Sequence, residues 1–467
     1  MNIRREHRPL LWLVAVGLLM QMLDSTIVNT ALPSIASDLK ASPLKMEMVV
    51  ISYMLTVALL MPASGWMADR FGIRRLFITA IALFTLGSVL CAQSHNLGQL
   101  VAARVLQGVG GAFMVPVGRL AVLRTVSRDE LLAALSFIAL PALIGPLLGP
   151  FVGGWLSEAI SWHWIFLINV PIGIVGLVLT FKLMPAFPAR ATRTGFDWAG
   201  YAMFACAIAL VSLALEGLGE LGLSLSVAML LMVFGVALLG AYWLHASRRP
   251  QALFSPRLFR INSYSVGLLG NLFARLGSGG VPFLLPLMYQ LALGYTPLQS
   301  GLLMIPSAAA SLVSRMTVSA VVERFGYRWV LTVNTVLVGL AIMSLALVAL
   351  KPPLWLLVIQ LTIFGFVNGL QFTVMNTVAL RDLPEEDASG GNTLLSVVMQ
   401  LAISMGVGAS AALLNGFDTF FGETQIVAVF QATFVTVGLM GMVAAAIFLQ
   451  LHTDDRNPTA KDVPLAE

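Results

Sequence analysis

Apolar runs of about 20 residues recur from Leu10 to Leu451, each long enough as a helix to cross a hydrocarbon core of about 30 Å. A water-soluble core has no room for so many uninterrupted apolar helices. Of 467 residues 58% are hydrophobic and only 10% charged, against about 25% charged in ordinary soluble chains. The chain therefore reads as an all-α polytopic membrane protein.

Apolar windows between charged or turn-rich breaks predict fourteen helices, starting near Leu10, Met46, Leu76, Leu97, Ala133, Trp164, Trp198, Leu223, Tyr264, Gln299, Trp329, Leu354, Asn392 and Gln425. Arg4, Arg5 and Arg8 precede the first run as in a signal peptide. That run, however, continues for more than 20 residues and contains Asp24, so it reads as an uncleaved span.

The net charge of +5 follows topology rather than a nucleic-acid surface. With fourteen spans, 22 of the 27 Lys and Arg fall on one side, Lys40, Lys45 and Lys351 fall opposite, and Arg104 and Arg275 remain within spans. By the positive-inside rule the arginine-rich side and both termini are cytoplasmic. All nine Trp map to predicted helix ends, as interfacial anchors do. Cys91 and Cys206 lie inside apolar runs and read as small core residues rather than a disulfide.

An internal repeat divides the chain. Asp69, Arg70, Phe71, Gly72 and Arg74 are matched 254 positions later by Glu323, Arg324, Phe325, Gly326 and Arg328. Each copy follows an even-numbered helix, which predicts two related six-helix bundles with two helices inserted between them. The expected divisions are 1–184 for the first bundle, 185–262 for the inserted helices and their linkers, 263–451 for the second bundle, and 452–467 for a cytoplasmic tail.

Enzymatic chemistry has no foothold. None of the five Lys sits in a P-loop context, and no His or Cys spacing suits a metal, so no cofactor, metal or catalytic residue is expected. Uphill transport by such a chain would draw on an ion gradient.

Ionisable groups inside spans are costly and mark function by default. Asp24 and Arg104 each lie roughly 10–14 Å below the side opposite the arginines, at 1.5 Å per residue. Two readings stand: a proton site on Asp24 modulated by Arg104, or a static ion pair. Gln21, Ser25 and Asn29 make one stripe of helix one polar, which predicts that it faces a wet cavity. Asn368 and Gln371 on helix twelve either line the opposite wall or bond between helices. Arg275, near mid-membrane, either holds an anionic substrate or is compensated by backbone, water or Asp24.

Further motifs carry a family likeness. Gly65 to Arg75, with Asp69, Arg70, Gly72, Arg74 and Arg75, resembles the loop signature of the major facilitator superfamily, departing from it at Ile73, where a basic residue is usual. Leu100, Arg104, Gln107, Gly108, Gly110 and Gly111 resemble its helix-four signature. Gly145, Gly149, Pro150, Gly153 and Gly154 are similar to the helix-five motif of proton-coupled antiporters. Leu23 to Pro33 and Trp162 to Gly173 resemble the fourteen-helix drug:proton antiporter branch.

The resemblance implies the major facilitator fold, proton coupling through Asp24 and Arg104, and gating by the Gly65–Arg75 loop with its repeat at Glu323–Arg328. On physical grounds the loop is either a latch or topogenic charge, and the helix-five glycines serve either rocking or ordinary close packing. The expected function is proton-coupled export of small hydrophobic or amphipathic compounds by alternating access. Export of a specific organic anion or metal-chelate metabolite is the alternative, ahead of a passive channel or receptor. The expected partners are protons, a small-molecule substrate and the lipid bilayer of a bacterial inner membrane, with no nucleic acid, for a chain acting as a monomer.

Overall fold

A computed structural model describes residues 4–186, 195–217, 224–249, 252–350, 353–422 and 425–451. The expected tail 452–467, part of the linker from Pro185 to Phe196, and Lys351 lie outside the described residues. The described chain is helical, without strands. Its helices are α1 Arg8–Asp38, α2 Glu47–Phe71, α3 Ile73–Ala92, α4 Leu97–Thr125, α5 Arg128–Ala159, α6 Trp164–Leu183, α7 Trp198–Gly217 and α8 Leu225–Ser247. They continue with α9 Asn262–Ala292, α10 Pro297–Phe325, α11 Tyr327–Val348, α12 Leu354–Arg381, α13 Glu385–Phe421 and α14 Ile426–Phe448.

Among the described residues, 12 helices are long and apolar enough to cross a membrane. The other two predicted windows fall on α5 and on α7, a shorter apolar helix. Local chemistry sets several boundaries. Asn96 caps α4 by accepting the Gln99 N–H at 2.9 Å, and Thr296 and Gln299 form a capping box that starts α10, with Pro297 as its first residue.

Gly72 and Gly326 end α2 and α10 with φ of 86° and 75°, a backbone region that favours glycine, and each turns the chain at once into the next helix. The sequence repeat is thus a repeat of geometry. In the first half, α1 packs along α5 and α3 along α4; in the second, α10 packs along α12 and α11 along α14. The halves meet where α5 crosses α10 and α2 crosses α13. Helices α7 and α8 pack on each other, α7 touches α2 and α13, and most of α8 faces outward with Val233, Phe234 and Val236 exposed.

One Trp departs from the expected anchor pattern. Trp162 is buried, stacked on His163, and donates from Nε1 to Asp38 Oδ2 at 2.9 Å. An acid on α1 close to the chain turn before α6 gives this indole a partner in the protein rather than in the interface.

Candidate coupling site, gate and cavity

Asp24 on α1 is fully buried and is held by side chains of two other helices of the first half, α4 and α6. Its Oδ2 accepts from Arg104 Nη1 at 2.7 Å; its Oδ1 accepts from Gln107 Nε2 and Asn169 Nδ2, both at 2.8 Å. Arg104 is equally buried and donates from Nε to the Val49 carbonyl at 3.1 Å, with its guanidinium 4.3 Å from the centre of the Tyr53 ring. Gln107 completes the cluster, accepting from Arg104 at 2.7 Å and donating to Ser88 at 2.9 Å.

As drawn, the pair is neutral overall and well bonded, the condition under which charges survive burial. A proton arriving on Asp24 would remove the negative charge and leave Arg104 buried without compensation, so protonation and repacking of α1 against α4 are linked. The sequence identified Asp24 and Arg104 as a pair. Gln107 and Asn169 were visible only as members of longer motifs, because an amide in an apolar run announces no particular partner.

The polar stripe of α1 departs from its expectation. Gln21 and Asn29 are each only 6% exposed, and Ser25 spends its hydroxyl on the Met22 carbonyl, so the stripe is packed rather than open to water. The reason is local: the helix face that carries Asp24 is turned into its own bundle by three donors, Arg104 and Gln107 on α4 and Asn169 on α6.

At the arginine-rich end Asp69 Oδ1 meets Arg124 Nη2 at 2.5 Å, joining α2 to the end of α4. Arg74 donates to the Phe181 carbonyl of α6. Arg70 and Arg75 are exposed, as are Glu323 and Arg324, and Glu323 has no ion pair among the described residues. Arg328 is half-buried on the first turn of α11. The repeat therefore preserves the turn in both halves and, among the described residues, the ion pair in the first alone.

The glycine-rich motif of α5 serves two neighbours. Gly145, Gly149 and Gly153 lie against Met22, Thr26 and Ile27 of α1, while Thr30 donates to the Pro150 carbonyl at 3.1 Å. On the other face a Cβ on Gly154 would stand 2.2 Å from the Pro297 carbonyl, and one on Gly301 2.2 Å from that of Pro150. Backbones of the two halves touch there. Gln290 donates to the Thr30 carbonyl at 2.9 Å, and Glu158 accepts the Leu298 N–H at 3.0 Å, so the halves are joined at the end opposite the arginines.

At the arginine-rich end a cavity of about 650 Å³ separates Gly65 and Arg119 of the first half from Asn392 and Ser396 of the second, with Phe254 at its edge. Arg119 is the one charged side chain among the described lining residues. Of the expected cavity residues, none lines it. Gln371 bonds between helices instead, to Asn334 and Thr335 of α11 at 2.8 and 2.7 Å, and the buried Asn368 Oδ1 has no partner. Arg275 is 4% exposed, donates to Asn271 at 3.1 Å and lies 3.9 Å over the Phe372 ring, and it forms no ion pair with Asp24 or with another acid among the described residues.

The model of the Major Facilitator Superfamily matches residues 14–255 and 267–467. The chain belongs to this superfamily. Among its relatives are proteins named "Putative multidrug resistance protein MdtD": 46% identical in Yersinia enterocolitica, covering 98% of each chain, and 47% in both Pectobacterium carotovorum and Escherichia coli, covering 95% and 96% of this chain and 96% of each relative. Solved major facilitator structures share the fold. The human organic anion transporter MFSD10 superposes with a TM-score of 0.62 at 14% identity, covering 96% of this chain and all of that one. The POT family transporter PepTSo gives 0.70 at 14%, covering 94% and 97%.

Proposed function

We propose that this major facilitator chain is a proton-coupled exporter of small hydrophobic or amphipathic compounds in a bacterial inner membrane, acting as a monomer by alternating access. Residues 1–184 and 263–451 form the two moving bundles, residues 185–262 the inserted helices with their linkers, and all fourteen helices span, with the arginine-rich end cytoplasmic. The multidrug resistance name of its relatives supports the substrate class. The observation that carries proton coupling is the buried Asp24–Arg104 pair, whose charge balance a single proton destroys.

The joined outer end and the cavity at the arginine-rich end fit a state that loads substrate from the cytoplasm. Proteoliposomes with an imposed pH gradient test the reading. Accumulation of substrate against its gradient should collapse with a protonophore, and accumulation that survives it would leave a uniporter or another coupling ion.

A second reading, export of an organic anion, is favoured by one specific pair of observations. Arg119 faces the cavity without an acidic partner among the described residues, and Arg275 is buried without one. A substrate panel that spans anionic, neutral and cationic members separates the two.

A further inference from the structure

Outside the transport path, four arginines surround one pocket. Arg248 and Arg249 directly follow α8, while Arg257 and Arg260 sit on the short 3₁₀ turn Pro256–Arg260, where side chains three apart eclipse one another. The turn is fixed by Ser255, which accepts the Arg257 N–H at 3.3 Å. Together these residues line a pocket of about 780 Å³, whose wall includes Trp243 and Phe259, packed edge to face at 5.3 Å.

The charge there is not balanced. Arg249 bonds to Asp197 at 3.3 Å, and Asp387 is the one acid among the described lining residues. Arg248, Arg257 and Arg260 have no acidic partner among the described residues, so like charges have been brought together without the counter-charge that would repay it. Topology needs positive charge at this end of the chain; it does not need a shaped pocket. Directly beside it, α8 exposes an apolar face that includes Val233, Val236 and Leu244, with Trp243 between that face and the arginines.

We propose that this pocket binds the phosphate headgroup of an anionic phospholipid whose acyl chains lie along the exposed face of α8. Guanidinium forks take phosphate oxygens in pairs, the indole occupies the headgroup level, and the apolar helix face supplies what a free phosphate would not use. Because Arg249 and Leu253 both bond Asp197, and Phe254 borders the cavity between the halves, an occupied pocket would steady the linker at that cavity's edge.

The test uses the purified full-length protein in neutral detergent, titrated with phosphatidylglycerol, phosphatidylcholine or inorganic phosphate, with retained lipid counted by native mass spectrometry. Phosphatidylglycerol should be retained at one or two equivalents and phosphatidylcholine should not. Replacing Arg248, Arg257 and Arg260 together with Gln should weaken retention at least ~10-fold. The triple Lys variant keeps the topogenic charge and loses the fork, so it should also weaken retention, and it decides the matter if the Gln variant inserts wrongly. Equal retention of both lipids, or wild-type retention by the triple Lys variant alongside a misinserted or unaffected Gln variant, overturns the proposal. Full displacement of the lipid by millimolar inorganic phosphate would reassign the pocket to a free anion.

Discussion

Asp24 and Arg104 meet at 2.7 Å with side chains 0% and 1% exposed, and the amides of Gln107 and Asn169 close the remaining positions around the carboxylate. Every charge in this cluster has its complement inside the first half. A change at either residue therefore acts on packing as well as on chemistry, and experiments have to separate the two.

Asp24→Asn should abolish gradient-driven accumulation and lower thermal stability, because removing one partner of a buried pair costs about 3–5 kcal/mol. In the double variant Asp24→Asn, Arg104→Gln the stability should return, since no charge is left uncompensated, while accumulation stays absent. Melting curves and proteoliposome uptake give the two readouts. Accumulation at wild-type rate in either variant would reduce the pair to a structural element.

If the Asp69–Arg124 ion pair gates the cycle, Asp69→Ala and Arg124→Ala should slow turnover to the same degree, and the double variant should be no slower than either, because both remove one contact. Additive losses would mean that the two residues act separately. Glu323→Ala, whose carboxylate has no ion pair among the described residues, should have the weaker effect on the same rate.

Gly154→Leu should insert correctly yet transport poorly. Its side chain would begin 2.2 Å from the Pro297 carbonyl, and overpacking of that kind costs about 1–3 kcal/mol, borne by the state in which the halves touch. Gly240→Ala on α8, with open space around it, serves as the control for helix propensity. Equal transport by the Gly154 variant and wild type would show that this crossing is not maintained during the cycle.

Arg275→Gln should weaken anionic substrates selectively if the arginine serves recognition, and affect all substrates alike if its contact with Phe372 is architectural. Phe372→Leu offers the complementary test: it removes the ring and keeps the charge. Michaelis constants for an anionic and a neutral substrate distinguish the outcomes.

Asp197, just before the first turn of α7, gives a pH-dependent expectation. Burial alone would raise its pKa, but hydrogen bonds from His245 and from the N–H groups of Gly200 and Leu253, with the charge on His245, hold the carboxyl below its usual range. The titratable His245 and the charged Arg249 face it. A depressed carboxylate contributes stability above its unfolded value of about 3.9 and loses it as the pH falls through the folded one. Asp197→Asn should thus lower the melting temperature at neutral pH, with the gap narrowing below about pH 4. A gap independent of pH would point to a steric origin.

The helices, their order and the repeat were legible in the sequence because hydrocarbon thickness imposes a length on each apolar run and glycine imposes a turn at positions 72 and 326. Asp24 and Arg104 were legible because charge in an apolar run is conspicuous. The cluster of Asp197, His245 and Arg249 was not, since residues about 50 positions apart at helix ends look like ordinary solvated loop charge until α7 and α8 pack. Arg119 was sorted with the loop arginines, and only the fold places it on α4 against a cavity. Gln371 and Asn334 likewise needed the contact between α11 and α12 to find each other.

Among its described residues, the segment that joins the two halves consists mainly of the helices α7 and α8. Its far end is fastened through Asp197 to Arg249 and Leu253, and its middle runs through α8, most of which lies outside the protein core. If the two halves rock as proposed, this pair of helices would be dragged through lipid, and bilayer thickness and lateral pressure would then enter as a mechanical load on the transport cycle.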